Sequence, residues 1–213
     1  MSNPIDDLRN DHSDFSRNAE SLSFDNPWVG FEYWLSEAVR LQELEPNAMV
    51  ISTVNASSMP SSRVVYLKEI TDQTLVFYTN YRSAKGQDLW KNPQASLLFF
   101  WPGLERQIRI QGQVRKIDER MSDAYFASRP RESQLGAWAS HQSEPLSSEE
   151  EIRLRFEQIA AQYPGKVPRP EHWGGLALSP SKFEFWQGKP SRLHERLVFE
   201  QQQDQWVVYR LNP

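Results

Sequence analysis

The residues best suited to chemistry lie in one C-terminal stretch, Phe183 to Arg196, reading F-E-F-W-Q-G-K-P-S-R-L-H-E-R. An aromatic run meets a turn at Gly188-Lys189-Pro190, and Arg192, His194 and Arg196 follow at two-residue intervals. In an extended chain, residues two apart share a face. The spacing therefore predicts two permanent cations and a titratable imidazole on one side. Such a row repels itself unless water or an anion compensates it. Trp186, just before the turn, adds a flat surface for a planar ligand. Charged hairpin edges are also common, and spacing alone leaves both readings open.

Other clusters have the same double character. Arg63 and Lys68 bracket an apolar strand; five apart, regular alternation sends them to opposite faces, as ligand groups or as ordinary surface ends. Tyr78 to Lys85 runs from a strand end into a helix start. Its hydroxyls (Tyr78, Thr79, Ser83), free N–H groups and Lys85 suit a phosphate, or an ordinary capped helix. Tyr125 and Arg129 are four apart, hence on one helical face, and Ser133 follows the turn at Pro130. Tyrosine, guanidinium and hydroxyl in that order could clamp a phosphate monoester, although Arg beside Pro also ends helices for structural reasons. Gln107, Gln142 and Ser143 offer neutral contacts for the edge of a heterocycle.

Composition removes several alternatives. The 213 residues carry 24 Lys plus Arg against 28 Asp plus Glu, a balance that argues against a nucleic-acid binder. There is no cysteine, so disulfides, thiolate nucleophiles and Cys-ligated metals are absent together. The four histidines, at 12, 141, 172 and 194, lack metal-ligand spacing. No apolar run reaches membrane-spanning length and no basic-then-apolar leader opens the chain, so the expectation is a cytoplasmic protein without membrane attachment. Catalytic Ser/His or paired-carboxylate patterns are not apparent, and Gly174-Gly175 lacks a dinucleotide-binding spacing. Eight tryptophans fit a large core or a stacking site.

Residues 1–25 are polar and predict a flexible arm. Residues 26–213 predict a single domain. Asn26-Pro27 starts a helix to about Leu44, with Trp28, Phe31, Leu35 and Ala38 as its apolar stripe. Strands are predicted at Ala48–Val54, Ser62–Leu67, Thr74–Thr79, Ala95–Trp101, Glu105–Ile117 (bulged or bent at Gly112), Lys182–Gln187, Arg196–Glu200 and Gln205–Arg210. Helices are predicted at Ser83–Trp90, Glu119–Ser128 and Ser133–Ala139, and from Ser147 or Ser148 to about Tyr163 with Ile152, Leu154, Phe156 and Ile159. Short turns without βαβ alternation imply a mainly β, antiparallel barrel with peripheral helices.

The segments R-V-V-Y-L-K, F-Y-T-N, L-E-R-Q, Y-F-A-S-R-P-R-E-S-Q-L-G-A-W-A-S-H-Q-S, V-P-R-P-E-H-W-G-G and the F-E-F-W-Q-G-K-P-S-R-L-H-E-R stretch together resemble the pyridoxamine 5′-phosphate oxidase family, in order and spacing from about Asn26 to Pro213. The resemblance implies an FMN-binding split β-barrel, a homodimer with FMN at the subunit interface. It implies oxidation of pyridoxamine 5′-phosphate and pyridoxine 5′-phosphate to pyridoxal 5′-phosphate by O2, with release of H2O2. The FMN positions it implies are Arg63, Tyr78, Thr79, Ser83, Lys85, Gln107, Gln142, Ser143, Trp186 and Arg196. Those for the substrate phosphate are Lys68, Tyr125, Arg129 and Ser133. Arg192 and His194 would lie against the pyridine ring as catalytic residues, with Glu45 as an acidic neighbour. A non-catalytic carrier of pyridoxal phosphate or flavin, or a flavin reductase, would share the fold; the joint presence of both phosphate clusters disfavours them. The chain departs from the family pattern at Ala84, for which Arg82 is the candidate replacement cation. It departs also at Arg9-Asn-Asp-His12, where a lid motif is altered, and at Glu195, in place of the usual Asp.

Overall fold

The computed structural model describes residue 15 and residues 21–213. Most of the predicted arm, with Arg9 and His12, lies outside the described residues. The chain forms two compact units: one is Met1–Pro46 with Leu98–Ile110 and Lys182–Pro213, the other Asn47–Leu97 with Gln111–Ser181.

In the first unit, helix α1 spans Pro27–Arg40. Asn26 caps it: its side-chain oxygen accepts from the Trp28 and Val29 N–H groups, and Pro27 occupies the first position, where no donor is needed. The helix was expected to reach Leu44 but stops four residues sooner. Gln42 adopts a left-handed φ of 56°, the Gln42 N–H donates to the Val39 carbonyl, and the Glu43 N–H donates to that of Ala38. That pair of bonds is a Schellman ending built without glycine. Phe31, Trp34 and Ala38 are buried, whereas Trp28 and Leu35 of the predicted stripe are only half-buried. Trp34 packs edge-on to Phe185, and Phe31 lies at 6.4 Å from Phe183.

The second unit begins with the hairpin β1 (Ala48–Val54) and β2 (Pro60–Tyr66), in register from Ala48 opposite Tyr66 to Val54 opposite Pro60. A short strand, β3 (Glu69–Thr71), not predicted, pairs with β4 (Thr74–Asn80). Helix α2 (Ala84–Lys91) follows with Ser83 as N-cap. Strands β5 (Gln94–Trp101) and β6 (Arg106–Lys116) run through both units. At Gly112 a side chain would overlap the Ser179 carbonyl, so the glycine serves a close backbone approach within a continuous strand. Helices α3 (Glu119–Ser128), α4 (Arg131–Ala139) and α5 (Glu149–Gln162) come next. Phe156 and Ile159 of α5 pack on a core of Phe126, Leu135, Val167 and Trp173, but Leu154, among the apolar residues noted for this helix, is exposed.

Strand β7 covers Trp173–Gln187, nine residues earlier in onset than predicted, because Trp173–Leu178 pair with β4. Its far half pairs with β8 (Glu195–Gln202), which pairs with β9 (Gln205–Arg210). The strands hydrogen-bond in the order β2-β1-β5-β6-β7-β4-β3, with β8 on β7, and the registered pairs are antiparallel.

Candidate active site

The second unit holds a cavity of about 1100 Å³ lined by Arg63, Lys68, Tyr78, Thr79, Lys85, Tyr125, Arg129, Ser133, Gln142 and Ser143 among others. Ten predicted site residues thus meet at one place. Arg63 and Lys68 were expected on opposite faces. They line the same cavity because β2 ends at Tyr66, so strand alternation does not reach Lys68.

Among the described residues, Lys85 is the most deeply buried cation. Its ammonium donates to Thr79 Oγ1 (2.8 Å), Ser83 Oγ (3.0 Å) and Gln142 Oε1 (2.9 Å). These acceptors are neutral, so burial, reinforced by the Arg63 charge, pulls its pKa down from 10.5 to about 8. Ser83 itself is fully buried, capping α2, and reaches the cavity only through Lys85. Arg63 donates to Thr53 Oγ1 (2.7 Å), to Ser61 Oγ (2.7 Å) and to the Ser61 carbonyl.

Farther along the lining, Tyr78 stacks on Tyr125 with centroids 3.8 Å apart and lies 5.5 Å from Trp173. The Tyr78 hydroxyl donates to Glu69 at 2.9 Å; burial and that carboxylate raise its pKa far above the ordinary value. Arg129 lies over Trp173 at 4.6 Å, and its buried Nη1 has no hydrogen-bond partner among the described residues. Burial lowers its pKa. Beside it α4 begins at Arg131 behind Pro130, which supplies no side-chain cap, so the first-turn N–H groups, including that of Ser133, are free for an anion. A guanidinium with an unpartnered nitrogen, an uncapped helix start and a hydroxyl all suit the same kind of partner: an anion.

The remaining predicted residues lie in the first unit and do not line this cavity: Gln107, half-buried on β6, with Trp186, Arg192, His194 and Arg196. The predicted row of Arg192, His194 and Arg196 on one extended face does not form. Pro190–Arg192 make a 3-10 turn in which Ser191 (φ 56°) and Arg192 (φ 60°) are left-handed, and β8 starts only at Glu195. Arg192 is exposed. His194 lies 4.7 Å from Trp186 and 5.5 Å from Phe15, ring to ring, and its Nδ1 accepts from the Lys189 N–H. Burial and the Arg192 charge lower its pKa, so at neutral pH the ring is neutral with its proton on Nε2. Arg196 is compensated by a carboxylate that spacing did not reveal. Glu184, buried, accepts from Arg196 Nε (2.9 Å) and Nη2 (2.7 Å) and from Arg109. Arg196 Nη1 donates to the Asn212 carbonyl, which leaves two of its five N–H groups for a ligand.

Residues 35–163 match the family described as Pyridoxamine 5′-phosphate oxidase, and residues 173–213 match a Pyridoxine 5′-phosphate oxidase C-terminal dimerisation region. The chain belongs to the pyridoxamine 5′-phosphate oxidase family. It is 49% identical over 209 residues to the pyridoxine/pyridoxamine 5′-phosphate oxidase of Thermosynechococcus vestitus, covering 98% of this chain and 99% of the relative. The enzyme of the same name from Leptospira biflexa is 50% identical over 195 residues, 91% and 92% of the two chains. Among solved structures, PhzG from Burkholderia lata in complex with tetrahydrophenazine-1-carboxylic acid superposes with a TM-score of 0.85 at 30% identity, over 92% of this chain and all of that one. A pyridoxamine 5′-phosphate oxidase-related, FMN binding protein from Nostoc punctiforme has a TM-score of 0.71 at 17% identity, over 91% of this chain and 100% of that one, and shows the fold alone. The antiparallel split barrel with peripheral helices is therefore the fold of this chain.

Two departures from the family pattern acquire a setting. Ala84 lines the cavity, but Arg82, its candidate replacement, lines a smaller one with His141, Glu144 and His172. Glu195 Oε2 accepts the Leu22 N–H at 2.6 Å, so the carboxylate is engaged within its own chain. Glu45, expected as an acidic neighbour, is exposed and does not line the cavity. Residues missed from sequence are Glu69, Glu184, Thr53 and Asp88. Glu69, Glu184 and Thr53 each bond a predicted site residue, and Asp88 bonds Thr53; no local pattern encodes these pairings.

Proposed function

We propose that the protein oxidises pyridoxamine 5′-phosphate and pyridoxine 5′-phosphate to pyridoxal 5′-phosphate, with FMN as cofactor, O2 as electron acceptor and H2O2 as product; the amine also consumes water and releases ammonia. The observation that carries this reading is the cavity with two sets of phosphate-seeking groups. One is Lys85 with Arg63; the other is the unpaired Arg129 with Tyr125, Ser133 and Lys68. A flavin phosphate and a substrate phosphate need two such sets.

The residues present fit FMN: Lys85 is already desolvated among neutral oxygens, and Arg63 is held rigidly beside it. FMN would be held by Arg63, Tyr78, Thr79, Lys85, Gln142 and Ser143 from the cavity, with Ser83 acting behind Lys85, and by Gln107, Trp186 and Arg196 of the partner protomer in a homodimer. When bound, FMN supplies the two-electron redox chemistry between the substrate carbon and O2. Lys68, Tyr125, Arg129 and Ser133 anchor the substrate phosphate. Arg192 orients the pyridine ring and stabilises charge that develops during transfer. His194, neutral, contacts the ring through its Nε2–H and does not serve as an obligatory base.

The test uses the purified protein. A flavin absorption spectrum, and aldehyde and peroxide formed in equal amounts when pyridoxine 5′-phosphate is added in air, are expected. A colourless protein that stays inactive with added FMN overturns the reading. Retained ligand without peroxide would identify a carrier.

A further inference from the structure

Strand β1 buries alternate residues, Met49, Ile51 and Thr53. The third breaks the pattern, a hydroxyl in an aliphatic position, 1% exposed. A buried hydroxyl needs partners, and Thr53 has one on each side. Its Oγ1 donates to Asp88 Oδ2 at 2.7 Å and accepts from Arg63 Nη1 at 2.7 Å. Asp88 is itself a buried carboxylate, on the same side of α2 as Lys85, three residues away. Yet Lys85 donates to the neutral oxygens of Thr79, Ser83 and Gln142, while the Asp88 carboxylate is bonded to Thr53.

The result is a three-residue chain, Asp88–Thr53–Arg63, running from beneath the cavity to its lining. Two effects follow. The buried negative charge offsets one of two neighbouring cations before any anion arrives. The hydroxyl also restricts a side chain that otherwise has many rotamers, which reduces the entropy lost when a ligand binds. We infer that Thr53 is a positioning residue, whose hydroxyl couples buried Asp88 to Arg63 and so fixes the direction in which that guanidinium meets FMN. This rests on the assignment of Arg63 to FMN proposed above.

The experiment is FMN titration of the apoprotein, followed by quenching of flavin fluorescence, in a cycle of Thr53→Val and Arg63→Ala. Thr53→Val is expected to raise the FMN Kd about tenfold. Thr53→Ser, which keeps the hydroxyl, is expected to bind as the parent does. In the Arg63→Ala background, Thr53→Val is expected to add nothing, an outcome a merely structural role would not produce. Should Thr53→Val fail to fold, Thr53→Ala carries the same cycle with less bulk. Arg63→Ala weakening FMN while Thr53→Val does not would sink this inference alone, as would a Thr53→Val effect that persists without Arg63. Unchanged FMN binding in Arg63→Ala would remove the assignment of Arg63 and the inference together.

Discussion

Lys85 shows how a single side chain sets the response of the site to pH. Its folded pKa of about 8 lies below the ordinary 10.5, through burial and the Arg63 charge. Between these values the unfolded chain holds the proton and the folded chain does not, so the contribution of Lys85 to stability rises with pH across that window. Anion binding responds the other way. A phosphate favours charged Lys85, so FMN affinity should fall as pH rises above about 8, and Lys85→Gln should flatten that fall while weakening binding at pH 7. FMN titrations at pH 7 and pH 9.5 check this; a slope unchanged in Lys85→Gln would refute it. The cavity cation Arg63 and the exposed Arg192 separate binding from chemistry. Arg63→Ala should weaken FMN retention with turnover largely recovered at saturating FMN. Arg192→Ala should retain FMN and lose about 100-fold or more in kcat, the scale of one lost charge-stabilising contact.

At the scale of elements, the start of α2 is the sensitive point. Ser83 caps the helix, Lys85 extends from its first turn, and Gly86 lies so close to the turn before it that a Cβ would overlap the Tyr81 carbonyl. A glycine inside a helix normally destabilises it; here it permits the contact that sets where Lys85 begins. The backbone carbonyl cannot swing aside as a flexible side chain would. Gly86→Ala should therefore cost about 1–3 kcal/mol in urea unfolding and weaken FMN binding as well. Loss of stability with unchanged FMN affinity would show that the helix start does not position the site.

For the whole molecule, the proposed FMN residues fall into two sets: those of the second unit, most of which line the cavity, and Gln107, Trp186 and Arg196 of the first unit, which do not line it. The match of residues 173–213 to a dimerisation region supports a second protomer as the source of the missing set. Light scattering should give twice the chain mass. A sharper check co-expresses Arg63→Ala with Arg196→Ala. If each site draws on both protomers, the mixed dimer has one doubly defective site and one intact site, and once isolated and assayed at limiting FMN it regains about half the parental activity. If each chain completed its own site, both sites in the mixed dimer would remain defective.

Local sequence determined most elements of this protein. Asn26-Pro27 and Ser83 announce helix starts through their capping chemistry, and apolar, β-branched runs mark Ala48–Val54 and Gln205–Arg210 to the residue. Ten residues of the cavity were also named from sequence, through the family resemblance, because spacing alone left each cluster open to a structural reading. Tertiary structure decided what those patterns leave free. The early stop of α1 and the left-handed Ser191 and Arg192 occur without glycine, so composition carries no mark of them. The early start of β7 comes from its pairing with β4, a partner far away in sequence. Thr53 with Asp88, Lys85 with Gln142 and Tyr78 with Glu69 are likewise set by packing, since the spacing of residues along a chain encodes its periodicity but not its distant neighbours.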